Sequence, residues 1–125
     1  MLVAVPEFHD CVSPTFDFCH KLTLWRLDEK GFKRVGERRC STLGPSERPA
    51  RLHAMGVEVL LCGAIGVSVE RDIRARGLDV ISGVTGKVVE VVAAYASRTL
   101  DHPKFQMPGA AADAHGPVCD REVKP

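Results

Sequence analysis

The order of apolar and polar positions sets out the elements. Leu2-Val-Ala-Val-Pro6 is an apolar run that reads as a short buried strand ended by proline. A polar, proline-containing loop follows over residues 7–17. Residues 20–27 and 32–40 read as a hairpin about Asp28-Glu29-Lys30-Gly31, with Gly31 suited to the left-handed position of a bulged turn. Lys33, Arg34, Arg38 and Arg39 mark the return strand as an exposed edge. The stretch GPSERPARLHAMG predicts a short helix with Ser46 as cap, Pro49 in its first turn and Gly56 as its stop. VEVLLCGAIG is the unbroken apolar run of a central strand covered on both faces. SVERDIRARG reads as a helix capped by Ser68 and stopped by Gly77, and LDVISGV as a further buried strand. In TGKVVEVVAAYASRTL, Val88, Val92, Tyr95 and Ala96 recur at helical spacing behind Thr85 as cap. From Asp101 the periodicity stops, so residues 1–100 read as one α/β domain and residues 101–125 as a mobile tail.

The order is therefore βββαβαβα. Three locally joined strands form an antiparallel unit, and two strands reached through helices run parallel to the first. The economical arrangement is a five-strand mixed sheet of order 3-2-1-4-5 with helices on its faces. The direction of travel reverses between strands 1 and 4, and the carboxyl ends of the strands at such a switch point are where open α/β sheets hold ligands. The loop after Pro6 and the turn after the fourth strand both leave those ends.

Composition narrows the function classes. A formal net charge of +1 gives no reason to expect nucleic acid or an anionic membrane as partner. No apolar run approaches the roughly 20 residues of a spanning helix, and the first residues lack a secretory n-region and h-region. A cytoplasmic location is the expectation. Five cysteines, an odd number without a C-x-x-C pair, match neither a disulfide framework nor a zinc knuckle. They read as free thiols, core residues or metal ligands.

Two groups of residues carry candidate chemistry. In CGAIGVS, Gly63, Ala64, Ile65, Gly66 and Ser68 lie between a buried strand and a helix start, where small residues admit a ligand and unpaired amides attract an anion. SGVTG repeats this arrangement with Gly83, Thr85 and Gly86. The turns carry neither the lysine of a phosphate loop nor dinucleotide spacing, and tight strand–helix packing explains the glycines equally well. The stretch FHDCVSPTFDFCH supplies His9, Cys11, Cys19 and His20, whose thiol and imidazole groups suit soft metals. Cys19 and His20 are adjacent at a strand start and point to opposite faces, so one at most lines the crevice. The plainer reading makes Cys19 a core residue and His20 a solvated one. His9 and Cys11 read equally as ligands or as loop residues. Cys62 ends the buried strand and reads first as core, bordering the crevice; Cys40 reads as incidental. Binding by His115 and Cys119 would require ordering the tail.

The strand order is that of ribonuclease H-like domains, yet LVAVP has no acid to hold the magnesium of a nuclease. Taken together, VAVP, VSPTF, MGVEVLLCGAIG, ARGLDVISGVTG and GKVVEVVAAY resemble the dinitrogenase iron–molybdenum cofactor biosynthesis family of small carriers, over residues 2 to 100. The resemblance implies a ribonuclease H-like fold and binding, without catalysis, of an anionic metal–sulfur cluster containing molybdenum, iron or copper. The amides at residues 63–68 and 83–86 would cradle it, with a soft ligand from His9, Cys11, Cys19 or Cys62. A donor or acceptor metalloprotein would be the partner of a monomer or weak dimer. The chain departs from the family at Asp17, where the aromatic of TF is usually followed by glycine. A regulatory module without a cluster and an enzyme acting on a small phosphorylated molecule are the alternatives.

Overall fold

The computed structural model describes residues 1–107 of the chain. β1 (Leu2–Phe8) is the hub of a mixed sheet. It pairs antiparallel with β2 (Cys11–Val12) and β3 (Lys21–Asp28), and parallel with β5 (Val59–Leu61). β4 (Gly31–Arg39) closes one edge against β3, and β6 (Asp79–Ile81) the other against β5. The main path runs β4-β3-β1-β5-β6. This is the expected 3-2-1-4-5 order with the two-residue strand β2 added.

β1 does not stop at Pro6. Its parallel ladder with β5 ends at Ala4↔Leu60, so the proline ring lies beyond it and the strand runs on to Phe8. His9 and Asp10 then turn the chain with φ of 52° and 66°. Two successive left-handed residues form the tight turn that matches strand twist, and His and Asp tolerate that region better than most. Part of the expected loop is therefore a hairpin.

The helices are α1 (Arg48–Ala54), α2 (Val67–Ala75) and α3 (Val88–Ala96). Gly56 and Gly77 follow the first two, as expected. The caps differ from expectation. Pro45 starts a 3₁₀ turn, Pro45–Glu47, ahead of α1, and the Glu47 carboxylate accepts the Gly44 amide at 2.8 Å. Gly66 and Lys87 occupy the cap positions of α2 and α3 in place of Ser68 and Thr85. None of the described helices is long and apolar enough to cross a membrane.

Strand alternation divides the core between the two faces. Ala4, Leu22, Leu24, Leu60 and Cys62 meet α1 and α2 through Leu52, Val69 and Ile73. Val3, Val5, Trp25, Val59 and Leu61 meet α3 through Val88, Val91 and Val92. Phe105 also joins this second cluster, 5% exposed, from a 3₁₀ turn, Pro103–Phe105. Burying such a ring stabilises by roughly 2–3 kcal/mol. The start of the expected tail is thus corrected: residues 101–107 pack on the domain. The rest of the tail, with His115 and Cys119, lies outside the described residues.

Candidate functional site

Three segments lace the carboxyl edge of the parallel strands. The β1–β2 hairpin reaches α3, where Val12 N donates to Gly86 O at 2.9 Å and Val88 N to Asp10 O at 2.9 Å. The loop after β2 lies on the first glycine turn: Ala64 N donates to Pro14 O at 2.8 Å and Phe16 N to Ala64 O at 2.8 Å. The segment after α3 lies on the second: Thr85 N donates to Phe105 O at 2.8 Å and Met107 N to Gly83 O at 2.9 Å. The two turns also bind each other, Gly83 N to Gly63 O and Val84 N to Cys62 O. Of the amides expected to face a ligand, those of Ala64, Gly66, Gly83, Val84 and Thr85 are therefore engaged by the chain itself.

The glycines are explained by the same packing. A Cβ on Gly63 would lie 2.6 Å from Pro14 O and 2.7 Å from Ser13 O. One on Gly86, where φ is +126°, would touch Phe105 and Val91 at 3.4 Å. At Gly66 a Cβ would meet a carboxylate oxygen of Asp17 at 2.7 Å, and the Gly66 amide donates to Asp17 Oδ1 at 3.1 Å. Asp17 thus places its negative charge at the positive end of α2. Among the described residues no acceptor serves the amides of Val67, Ser68 and Val69 in the first turn of that helix. These remain directed at the edge. Ala64 and Ser68 are exposed, Ile65 is half-buried against the α1–α2 core, and Thr85 is buried.

The soft residues do not converge. His9 is exposed at the hairpin tip, its ring edge-on to Phe8 at 4.1 Å. Cys11 is buried on β2, where its backbone pairs antiparallel with that of Lys87, and, against the expectation of free thiols, it is not among the free cysteines. Cys62 is fully buried on the α1–α2 face, and burial, with Glu70 and Asp17 nearby, pushes its thiol up to about 12. In the metal-free chain it stays protonated at neutral pH. Cys19 is not in the crevice: it is buried beside Cys40 and Arg48 in the same core. His20 is exposed. Among the described residues no group of three or more His, Cys, Asp or Glu is placed to hold a metal ion. The donor set of the described residues therefore does not fit a resident metal ion.

Two features escaped the sequence reading. A cavity of about 580 Å³ lies beside the hairpin and the start of α3, lined by Glu7, His9, Asp10, Trp25, Arg34 and Glu90 among others. The Glu7 side chain, 6% exposed, faces it: Oε2 accepts from Asp10 N at 3.2 Å and pairs with Lys21 Nζ at 3.8 Å, while Oε1 is buried without a hydrogen-bond partner among the described residues. Period two was the available signal, since Glu7 shares the face of Val3 and Val5. Arg48, 4% exposed, is the other. It donates to the carbonyls of Phe16, Cys19, Cys40 and Leu43 and ties the loop after β2 to the end of β4 and to α1.

A family model described as dinitrogenase iron–molybdenum cofactor matches residues 1–98. No curated protein matches the chain. Among solved structures, PH0822 is similar at a TM-score of 0.73 with 23% identity, covering 82% of this chain and 98% of that one. A Methanocaldococcus jannaschii protein described provisionally as a dinitrogenase aligns at a TM-score of 0.65 and 16% identity, over 81% of this chain and 92% of that one. A Thermotoga protein described provisionally as a NifB protein aligns at 0.58 and 21% identity, over 78% and 89%. At these identities the solved structures establish the fold.

Proposed function

We propose that this chain, which belongs to the dinitrogenase iron–molybdenum cofactor family, is a non-catalytic carrier that holds an anionic metal–sulfur cluster as cargo at the carboxyl edge of its sheet. The observation that carries the reading is the family match over residues 1–98, which spans the β1–β2 hairpin, the loop after β2 and both glycine turns. The physical support is the first turn of α2. Its three unserved amides and helix dipole attract negative charge, and they do so without a covalent bond to the cargo. His9, exposed at the hairpin tip beside the start of α3, is the soft side chain we assign to one further bond to the cargo. Binding by amides and one imidazole is easily reversed, which suits a protein that passes its cargo on. Cys62 and Cys19 lie in the core and have no part in it. Asp17 competes with the cargo for the end of α2, so loading requires its carboxylate to move aside. In this reading the chain acts in the cytoplasm, as a monomer or weak dimer, between a donor and an acceptor metalloprotein.

The test is anaerobic addition of isolated iron–molybdenum cofactor to the full chain, followed by gel filtration and metal analysis by mass spectrometry. Iron and molybdenum should travel with the protein, together with charge-transfer absorption, and His9→Ala should lower the retained metal. Elution of the chain without metal would leave the family's fold serving as a regulatory module.

A further inference from the structure

A second chemical site lies inside the α1–α2 core. Cys19, on the loop after β2, and Cys40, just past β4, bring their Sγ atoms to 3.5 Å. Nη1 of Arg48 lies 3.1 Å from Cys19 Sγ and 3.5 Å from Cys40 Sγ. All three residues are at most 4% exposed. Among the described residues no carboxylate pairs with this guanidinium, whose other bonds go to backbone carbonyls. A guanidinium cannot lose its charge, so the low-dielectric site favours a thiolate as the missing counter-ion. The hydrogen bond between the thiols keeps one proton on the pair, raising Cys19 and lowering Cys40; burial opposes the charge and Arg48 favours it, and Cys40 Sγ also lies 3.2 Å from the Cys19 carbonyl oxygen. The same guanidinium discourages a bridging metal cation.

Cys40, and not Cys19, lines a cavity of about 110 Å³ whose other walls include Arg38, Arg39, Arg48 and Arg51. A liquid water occupies about 30 Å³, so an oxidant little larger than water fits. Electropositive surroundings and a neighbouring thiol distinguish reactive cysteines from inert buried ones.

We propose that Cys40, Cys19 and Arg48 form a dithiol site at which hydrogen peroxide makes an intramolecular disulfide. The Cys40 thiolate attacks one peroxide oxygen; the S–O bond forms, the O–O bond breaks and hydroxide leaves beside the guanidinium, taking up the proton released when the thiolate formed. Cys19 then attacks Cys40 Sγ. The S–S bond forms, the S–O bond breaks, and the Cys19 proton leaves with the hydroxyl as water. Two thiols are oxidised by two electrons and one peroxide is reduced to two waters. Closing the bond brings the sulfurs together by about 1.5 Å, from the observed separation to the length of a disulfide.

The experiment treats the reduced full chain with hydrogen peroxide at pH 7, native and in urea, and maps peptides without reduction. The native chain should yield the Cys19–Cys40 linked peptide, and Cys40 should react a few-fold faster than in the unfolded chain, since the gain in thiolate beside Arg48 is partly offset by its lower nucleophilicity. Cys19→Ser should stop at a Cys40 sulfenic acid that dimedone labels, and Cys40→Ser should leave Cys19 reduced. Slower oxidation of Cys40 in the native chain than in urea overturns the proposal, as does oxidation of Cys19 at an undiminished rate in Cys40→Ser. The comparison with urea uses the parent chain, so it stands whether or not the variants fold.

Discussion

The two glycine turns look alike in sequence and differ in what closes them. Each follows a short parallel strand and precedes a helix, and each brings two glycines to the same edge of the sheet. The first, at residues 62–66, is covered by backbone from the loop after β2 and ends at an exposed helix terminus with one carboxylate beside it. The second, at residues 82–87, is sealed by a later segment whose aromatic ring is buried against it. Glycine admits close approach of something, and here the chain itself is most of that something. What separates the turns is how far the chain covers the amides that follow them. At the start of α2 the amides of Val67, Ser68 and Val69 have no acceptor among the described residues; at the start of α3 the hairpin takes the Val88 amide and those of Val89 and Glu90 remain, while the turn before it gives its Gly83, Val84 and Thr85 amides to the protein.

The strongest way to break the comparison is to remove what closes each turn. Phe105→Ala deletes the ring packed on Gly86 and should destabilise by about 3 kcal/mol or more, as ring deletions in a core do. Deleting residues 101–125 should cost at least as much. Gly63→Ala forces a methyl onto the Pro14 and Ser13 carbonyls and should cost about 3 kcal/mol through displacement of backbone. Urea unfolding followed by circular dichroism measures all three. A truncated chain as stable as the parent would return the boundary of the domain to residue 100 and make the second turn an open one.

These sites show where sequence reasoning reaches. The sheet order was legible because apolar run lengths, a charged edge strand and glycine stops all agree. Each of those signals is local. The sealing of the second turn was not legible, because Phe105 stands alone in a stretch without period, and a single buried ring leaves no periodic trace. The helix caps were misplaced for a related reason: a serine or threonine near a helix start is a local signal, but α2 receives its carboxylate from Asp17, forty-nine residues before Gly66. The soft residues gave the same lesson. Cys11, Cys19 and His9 are close in sequence, yet the hairpin and the loop send them to different environments, and Cys40, apparently incidental, proved to be the partner of Cys19.

A smaller effect distinguishes the floor of the first turn. Cys62 is held at about 12 in the folded chain against an ordinary thiol value of 9.0. The folded state therefore keeps a proton that the unfolded state gives up. This contribution is whole below pH 9 and is lost as pH rises from 9 toward 12, by about 2 kcal/mol across the first two units. Unfolding free energies of parent and Cys62→Ala between pH 8 and 11 measure it. The variant loses some packing at every pH, so the readout is the difference in slope, which should be steeper for the parent. Parallel slopes would mean that Cys62 ionises like a free thiol, and would reopen its candidacy as a ligand beside the first turn.

The smallest change in stability should accompany the clearest change in binding. Asp17 Oδ1 accepts the Gly66 amide, and its charge lies at the N-terminus of α2, so the carboxylate stabilises that helix end by about 0.5–1 kcal/mol. Asp17→Gly should cost no more than this. The same substitution removes a unit of negative charge from the place where the unserved amides of Val67, Ser68 and Val69 would meet an anion, and it clears the space that the carboxylate holds next to Gly66. Affinity for a tetrathiomolybdate dianion, measured anaerobically by calorimetry, should rise about fivefold, and the gain should shrink as salt screens the lost repulsion. Asp17→Asn keeps the side chain's bulk and its acceptor while removing its charge. If Asn reproduces the whole gain, the carboxylate acts through repulsion; if Gly gains and Asn does not, it acts by filling the site. If neither variant binds the dianion better than the parent, the end of α2 is not where the anion goes, and the first turn is as closed as the second.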